Sequence, residues 1–265
     1  MHGFYMVKGM VRESKDLQKY SLFDSIKALL QFTTVLPLGD LAPFEAFARR
    51  SWIYPLAGYV TGGLTAVLVI CLSILGIPDL AIAVLVLGSV VLLSGANHLD
   101  GLLDLGDGLM AHGSQEKRIT ALTDRQLGTG AFALGAFLLL LTVAFLSALA
   151  PIVMACAILL AEVCGKGTMA FLTAIGRPFH PGLHSTLHAE ARPMMLVCTL
   201  FLMLPLCVLP VSIELVAVSI LMVFLISYGM RALAYRLFGG VNGDIVGAAH
   251  EIMRVVVIGI FAVGM

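Results

Sequence analysis

Residues 151–175 read PIVMACAILLAEVCGKGTMAFLTAI, an apolar run with only two charges, Glu162 and Lys166. A transmembrane α-helix needs about 20 mostly apolar residues, so this run is long enough to cross a bilayer. Pro151 stands in the first turn, where a proline costs no hydrogen bond. The run therefore predicts a membrane-spanning helix whose two charges face the protein interior rather than lipid.

The whole chain has the same apolar character. It has 265 residues, of which 60% are hydrophobic and 12% are charged, and its 16 basic and 16 acidic residues give a formal net charge of zero. A soluble domain carries about 25% charged residues. This composition excludes a soluble enzyme, a disordered chain and a basic protein that binds nucleic acid. It indicates an integral membrane protein whose partner is a lipid bilayer.

The apolar runs are continuous rather than alternating, which favours helices over a β-barrel. We predict an all-α, polytopic membrane helix bundle that forms a single domain over residues 1–265, with a polar cytoplasmic segment at 1–24. The stretch 25–38 is too short to span and predicts an amphipathic or half-inserted helix. About seven transmembrane helices are expected, at 53–75, 79–97, 131–149, 151–175, 194–210, 214–236 and 248–264.

The basic residues fall at every second connection between these spans. They precede the first span, lie between the second and third, follow the fourth, and flank the loop before the seventh, whereas the other connections have none. This is the positive-inside pattern. It predicts a multi-pass protein of the cytoplasmic (inner) membrane, with the N-terminus and the polar loops in the cytoplasm and the C-terminus outside.

An aspartate-rich segment at 97–108 reads NHLDGLLDLGDG. Asp100, Asp104 and Asp107 are spaced i, i+4, i+7, which places them on one face of a helix. Like charges there repel unless a cation lies between them, and oxygen ligands favour Mg²⁺ or Mn²⁺. His98, one turn earlier, is a candidate to orient a carboxylate or to act as a base. Asp124 either completes the metal site or is a plain surface aspartate.

Two pairs of opposite charge are spaced by four residues. Glu45 and Arg49 precede the first span, and they form either a surface ion pair or a phosphate contact through the arginine. Glu162 and Lys166 lie inside the fourth span, where the alternatives are an internal ion pair and a lysine directed at a substrate phosphate. Arg177 follows at the predicted cytoplasmic exit of that span.

A glycine-rich turn, GGVNGD at 239–244, leads into the last span. Asn242 and Asp244 stand on this turn, and Glu251 would face the bundle one or two turns further on. Asp244 is either an ordinary helix cap or part of a polar site.

The polar groups above all fall on the predicted cytoplasmic side. They therefore indicate one polar cavity that opens there. Carboxylates with a divalent cation, together with arginine and lysine, suit a diphosphate or phosphoryl substrate. Three histidines spaced by four do not predict a zinc site, because Pro181 and Gly182 interrupt the helix that would align them: His180, His184 and His188.

Four segments resemble, in order, the motifs of the cobalamin synthase family, the adenosylcobinamide-GDP ribazoletransferases. They are FE…R…YPLAG at 44–58, HLDGLLDLGDG at 98–108, TDRQLGT at 123–129 and GGVNGDIVGAAHE at 239–251. The resemblance covers residues 30–262. Two positions depart from the family pattern, since Lys166 stands where arginine is more usual and Asn242 replaces threonine or serine.

The resemblance implies a transferase that joins adenosylcobinamide-GDP to α-ribazole or its 5′-phosphate and releases GMP, with Mg²⁺ as cofactor. It implies Mg²⁺ ligands at Asp100, Asp104 and Asp107, assisted by Asp124 or Asp244. His98 or a carboxylate free of metal would take the hydroxyl proton, and Asp104 would also be catalytic. The remaining implied residues contact the substrates, mainly their phosphates: Glu45, Arg49, Lys166, Arg177, Asn242, Asp244 and Glu251.

Two other functions remain open on the residues alone. A phosphotransferase or prenyltransferase acting on lipid also places aspartates and Mg²⁺ at the membrane face, although the aspartate spacing of the CDP-alcohol enzymes differs. An ion-coupled transporter would use the same charges as a pathway. A homo-oligomer, or a complex with other enzymes of nucleotide-loop assembly, is a further expectation.

Overall fold

A computed structural model describes residues 20–264, so the predicted N-terminal segment 1–24 lies mostly outside the described residues. In this part of the chain the structure is helical, with one isolated β-bridge between Pro178 and Val241 and no β-strand. The prediction of an all-α fold is confirmed. The helices are α1 (Leu22–Thr33), α2 (Phe44–Ala48), α3 (Tyr54–Ile74), α4 (Asp79–Leu93), α5 (Asn97–Met110), α6 (Gln115–Leu122), α7 (Thr129–Ser147), α8 (Pro151–Ile175), α9 (Leu183–Glu190), α10 (Pro193–Met203), α11 (Ile213–Phe238) and α12 (Gly243–Gly264).

Within the described residues, five helices are long and apolar enough to cross a membrane: α3 with the short 3₁₀ turn before it, α7, α8, α11 and α12. Two further pairs of helices meet this criterion only when each pair is taken together. These pairs are α4 with α5, bent by 94°, and α9 with α10 and its 3₁₀ extension, bent by 97°. The predicted count of seven holds when each bent pair is one span.

The predicted span 79–97 is interrupted in the structure. Helix α4 ends at Leu93, and the chain then turns through Gly95 and Ala96, whose φ angles are 62° and 59°. Both angles are left-handed, a conformation that costs free energy for alanine. Because of this turn the aspartate-rich segment forms a separate helix, α5, that leaves the direction of α4.

Helix α8 lies at the centre of the bundle, and most of its residues are buried. Helix α3 packs directly on its backbone through Gly58 and Gly62. A Cβ atom on Gly58 would stand 2.6 Å from the Cα atom of Val163 and 2.7 Å from the carbonyl oxygen of Glu162. Small residues spaced by four allow this approach of two membrane helices.

The N-terminal helices are held over α3 by aromatic contacts. The rings of Phe32 and Phe44 are 5.1 Å apart, and those of Phe47 and Tyr54 are 4.9 Å apart, both edge to face. Helix α1 begins with a capping box, in which the Ser21 hydroxyl accepts from the backbone N–H of Asp24 and the Asp24 carboxylate accepts from the backbone N–H of Ser21. The bonds from the hydroxyl and the backbone N–H of Ser21 to this carboxylate lower the pKa of Asp24. Helix α1 (Leu22–Thr33) overlaps the apolar stretch 25–38, for which the sequence predicts a short helix.

We expect Gly58→Ala to lower the free energy of unfolding by roughly 1–3 kcal/mol, because the added methyl group would overlap the backbone of α8. The matched control is Gly63→Ala in the same helix, where the methyl group would meet no heavy atom within 4 Å. Thermal unfolding of both variants in detergent measures the difference. Equal midpoints for the two variants would contradict the close packing of α3 on α8.

Candidate active site

The predicted aspartates come together around one cavity of about 470 Å³. Asp100, Asp104 and Asp107 enter it from α5, Asp124 from the loop between α6 and α7, and Asp244 from the start of α12. Its other polar lining residues are Thr123, Arg125, Gln126, His180, His184 and Asn242. The i, i+4, i+7 spacing thus places three carboxylates on one wall, as the sequence indicates.

Close contact between helix backbones brings the carboxylates of different elements together. A Cβ atom on Gly101 of α5 would stand 2.5 Å from the carbonyl oxygen of Asp244. Gly106 of α5 and Gly130 of α7 approach each other in the same way, because a Cβ on Gly106 would stand 2.6 Å from the carbonyl oxygen of Gly130. Only glycine permits such contacts, so α5 lies directly against both α7 and α12.

The cavity concentrates negative charge. Asp104 experiences the like charges of Asp244, Asp100 and Asp107. Of the described residues that line the cavity, Arg125 alone carries a guanidinium or ammonium group. Like charges held together favour a cation between them, and the oxygen-only carboxylates suit a hard one such as Mg²⁺.

The aspartates are spread around the cavity rather than gathered into a cage. In residues 20–264 no three His, Cys, Asp or Glu side chains stand close enough to hold a metal ion by themselves. Mg²⁺ usually binds through one or two carboxylates together with substrate phosphates. The donor set therefore fits Mg²⁺ that arrives with a diphosphate better than a permanently chelated ion.

Two of the predicted site residues also hold helix ends. The Asp107 carboxylate accepts hydrogen bonds from the backbone N–H groups of Gly128 at 2.8 Å and Ala131 at 2.9 Å, at the start of α7. Asn242 accepts from the backbone N–H of Ile245 at 3.1 Å, and its amide donates to Asp244 at 2.6 Å. Asn242 therefore caps α12 and orients Asp244, while the predicted metal contact of Asp107 competes with its bonds to α7.

A buried network of charges lies behind the cavity. Glu162 of α8 accepts a hydrogen bond from Arg254 of α12 at 2.7 Å and another from the Thr61 hydroxyl of α3 at 2.9 Å. Arg254 also pairs with Glu251, one turn earlier in α12. All four side chains are buried. Glu251 lines neither the cavity of the aspartates, the acidic cavity, nor a second cavity that adjoins it. Its contact in the structure is with Arg254.

Lys166 has a different partner from the one that its spacing suggests. Its Nζ atom lies within hydrogen-bond distance of Nε2 of His98 on α5, at 3.0 Å. The His98 ring stacks on the His250 ring of α12, with the ring centroids 4.5 Å apart. The i, i+4 pairing of Lys166 with Glu162 is thus replaced by contacts between helices, and the partner of Lys166 is His98.

Three predicted substrate contacts lie away from the cavity lining. Glu45 is exposed on α2, and the Arg49 guanidinium lies over the Tyr20 ring, 5.9 Å from its centroid. Arg177 is exposed, and its backbone N–H donates to the Tyr235 hydroxyl at 2.8 Å. The structure does not bring these three side chains to the aspartates.

A second cavity of about 400 Å³ adjoins the first, and sequence reasoning missed it. Asp100, Asp244 and His184 line both cavities. Thr173 lies seven residues after Lys166 on the same face of α8, and that spacing is a signal that could have found it. The remaining lining residues of the second cavity come from distant segments: Gln31, Phe32, Thr33, Tyr54, Asn97, His98, Met169, Leu183, Leu187, Gly243, Val246 and Gly247.

Comparison with known proteins identifies the family. The sequence profile of the family described as cobalamin-5-phosphate synthase (CobS) matches residues 25–262. The chain belongs to the cobalamin-5-phosphate synthase family. Relatives named adenosylcobinamide-GDP ribazoletransferase include one from Methanosarcina mazei, 30% identical over 90% of this chain and 91% of its own length. Another, from Methanocella arvoryzae, is 32% identical over 91% of this chain and 96% of its own length. No solved structure matches significantly.

The structure shows where the four segments that resemble cobalamin synthase motifs lie in this member of the family. Three of them, at 98–108, 123–129 and 239–251, meet at the acidic cavity. The fourth, at 44–58, contributes Tyr54 to the second cavity and the glycine that packs α3 on α8.

We expect Glu162→Gln to destabilise the protein by about 3–5 kcal/mol, because it removes a charge partner of the buried Arg254. The matched control is Glu116→Gln on α6, where the side chain is exposed. Thermal unfolding in detergent measures both changes. A midpoint for Glu162→Gln equal to that of the control would contradict a tightly coupled charge network.

Proposed function

We propose that this protein transfers the cobinamide-phosphate group of adenosylcobinamide-GDP to α-ribazole or its 5′-phosphate. The products are GMP and adenosylcobalamin or its 5′-phosphate, which completes the nucleotide loop of cobalamin. The observation that carries the proposal is the convergence of three family motifs on one acidic cavity. The names of the relatives supply the substrates, and the aspartates supply a site suited to a diphosphate.

In the proposed reaction a ribose hydroxyl attacks the phosphorus that bears cobinamide. A new O–P bond forms, the bond from that phosphorus to the bridging oxygen of the diphosphate breaks, and GMP leaves with the electron pair. When bound, Mg²⁺ supplies positive charge that neutralises the phosphate oxygens and the leaving group. Asp104 and Asp244, which line the same cavity and repel each other, would hold it, with Asp124 assisting.

The hydroxyl proton needs an acceptor near both substrates. When Lys166 carries its proton, its bond occupies the lone pair of His98 Nε2 and leaves the hydrogen on Nδ1. In that state His98 is a donor rather than a base. Asp100 lines both cavities, and we assign it the proton.

We assign phosphate recognition to a residue that was not selected from the sequence. Arg125 lies in the segment TDRQLGT and lines the acidic cavity. Its planar guanidinium matches phosphate oxygens in a bidentate geometry. We therefore assign the phosphate contact to Arg125 in place of Arg49 and Arg177.

The proposal includes the orientation in the membrane. Lys117, Arg118 and Arg125 surround the segment that leads into the acidic cavity. The positive-inside pattern places this segment in the cytoplasm, with the protein in the cytoplasmic membrane. The cavity would then open where nucleotides such as the GDP conjugate are found.

We expect Asp104→Asn to lower the rate of GMP release by roughly a hundredfold or more, because it removes a charge that holds Mg²⁺ against the diphosphate. Purified protein in detergent is supplied with adenosylcobinamide-GDP, α-ribazole and Mg²⁺, and released GMP is measured. The control is Asp79→Asn, the same change at the far end of α4.

Normal turnover by Asp104→Asn, or unchanged turnover of the wild type after chelation of Mg²⁺, would remove the metal site from the proposal. Absence of GMP release by the wild type would remove the transferase itself. A transporter would give flux in sealed vesicles with no nucleotide product.

A further inference from the structure

We propose that the second cavity binds the heteroaromatic base of the acceptor nucleoside, so that donor and acceptor occupy separate cavities on the two sides of Asp100 and Asp244. This inference rests on the proposed function and deepens it. The acidic cavity then holds the diphosphate of the donor, and the reacting hydroxyl lies at the boundary that the two cavities share.

The first observation is a set of buried polar atoms without a protein partner. His98 Nδ1, Thr173 Oγ1 and His184 Nδ1 are buried and make no hydrogen bond within the described residues. All three residues line the second cavity. Buried polar groups are almost always hydrogen-bonded, so such a cluster indicates a polar ligand. The other residues with such atoms, His250 and Arg254, line neither cavity.

The hydrogen-bond partners of the two histidines determine whether each unpartnered ring nitrogen is a donor or an acceptor. His184 Nε2 lies 2.9 Å from the carbonyl oxygen of Gly176, so Nε2 carries the hydrogen and Nδ1 is an acceptor. His98 Nε2 lies 3.0 Å from Lys166 Nζ and accepts from it when the lysine is protonated, which makes Nδ1 a donor. The Thr173 hydroxyl can do both. A ligand with ring nitrogens and sugar hydroxyls, which also donates and accepts, matches this set.

The rest of the wall suits a flat aromatic ring. Phe32 and Tyr54, together with Met169, Leu187 and Val246, provide aromatic and aliphatic surface around the polar atoms. None of the described residues that line this cavity is a lysine or an arginine. The cavity therefore favours an uncharged heterocycle over a diphosphate.

The shared wall explains how the two substrates would meet. Leu183, His184 and Gly243 line both cavities, in addition to Asp100 and Asp244. A nucleoside whose base lies among the aromatic side chains would extend its ribose toward this wall. The hydroxyl would then face the phosphorus from one side while the diphosphate approaches the aspartates from the other.

The test is the effect of Thr173→Val on the two KM values. This change preserves shape and removes the unpartnered hydroxyl. We expect the KM for α-ribazole to rise roughly tenfold and the KM for adenosylcobinamide-GDP to stay within about twofold. The matched control is Thr168→Val in the same helix. Thr168 lines neither cavity, and its hydroxyl donates to the carbonyl oxygen of Cys164.

A second measurement does not depend on how the variant folds. Benzimidazole is added to the wild-type protein as a probe for the base, and we expect it to compete with α-ribazole and not with adenosylcobinamide-GDP. Equal rises in both KM values, a rise for the donor alone, or competition of benzimidazole with the donor would overturn the inference. Each of these results requires GMP release by the wild type, so they are distinct from failure of the proposed function.

Discussion

The arrangement of the bundle depends on the need of two buried charges in α8 for partners inside the protein. Glu162 accepts hydrogen bonds from Arg254 on α12 and Thr61 on α3, and Lys166 lies within hydrogen-bond distance of His98 on α5. An unpaired charge in the apolar interior is costly, so these contacts restrict where the three neighbouring helices can lie. The central helix thereby joins α3, α5 and α12, and two of these carry the aspartates.

The acidic cavity follows from that restriction. With α5 and α12 both held to α8, Gly101 allows their backbones to touch, and the carboxylates of Asp104 and Asp244 come to face the same space. Their repulsion opposes this arrangement in the absence of a cation. The fold offsets part of it through helix ends, since Asp107 bonds backbone N–H groups of α7 and Asn242 orients Asp244. The cavity therefore favours a bound positive charge, which the proposed Mg²⁺ would supply together with a diphosphate.

Local patterns were sufficient for the long apolar helices and for the aspartate wall. The apolar runs predicted the spans, and the spacing of Asp100, Asp104 and Asp107 predicted their common face, because both depend only on helix periodicity. The break at Gly95 and Ala96 was missed because the apolar run continues up to it, although the turn is closed locally: the backbone N–H groups of Gly95 and Ala96 donate to the carbonyl oxygens of Leu92 and Val91. The match to the family profile confirms the family that the four motifs suggested.

Contacts between distant segments could not be predicted in this way. The i, i+4 spacing of Glu162 and Lys166 suggested a pair, but Arg254 and His98 on other helices are their partners. The second cavity is lined by α1, α3, α5, α8, α9 and α12, and no single stretch of sequence marks it. Arg125 was passed over in favour of Arg49 and Arg177 although it adjoins Asp124 in the sequence, and only the folded chain shows that it lines the acidic cavity while the other two arginines do not.

The central claim is that the crowded aspartates receive a metal-bound diphosphate while the acceptor base lies across the shared wall. The most direct test is a structure determined with Mg²⁺, α-ribazole and an adenosylcobinamide-GDP analogue whose bridging diphosphate oxygen is replaced by a methylene group. We predict the metal between the diphosphate and the carboxylates of Asp104 and Asp244, and the base beside Thr173 and His184. A diphosphate bound away from these aspartates, or both substrates in one cavity, would contradict the account.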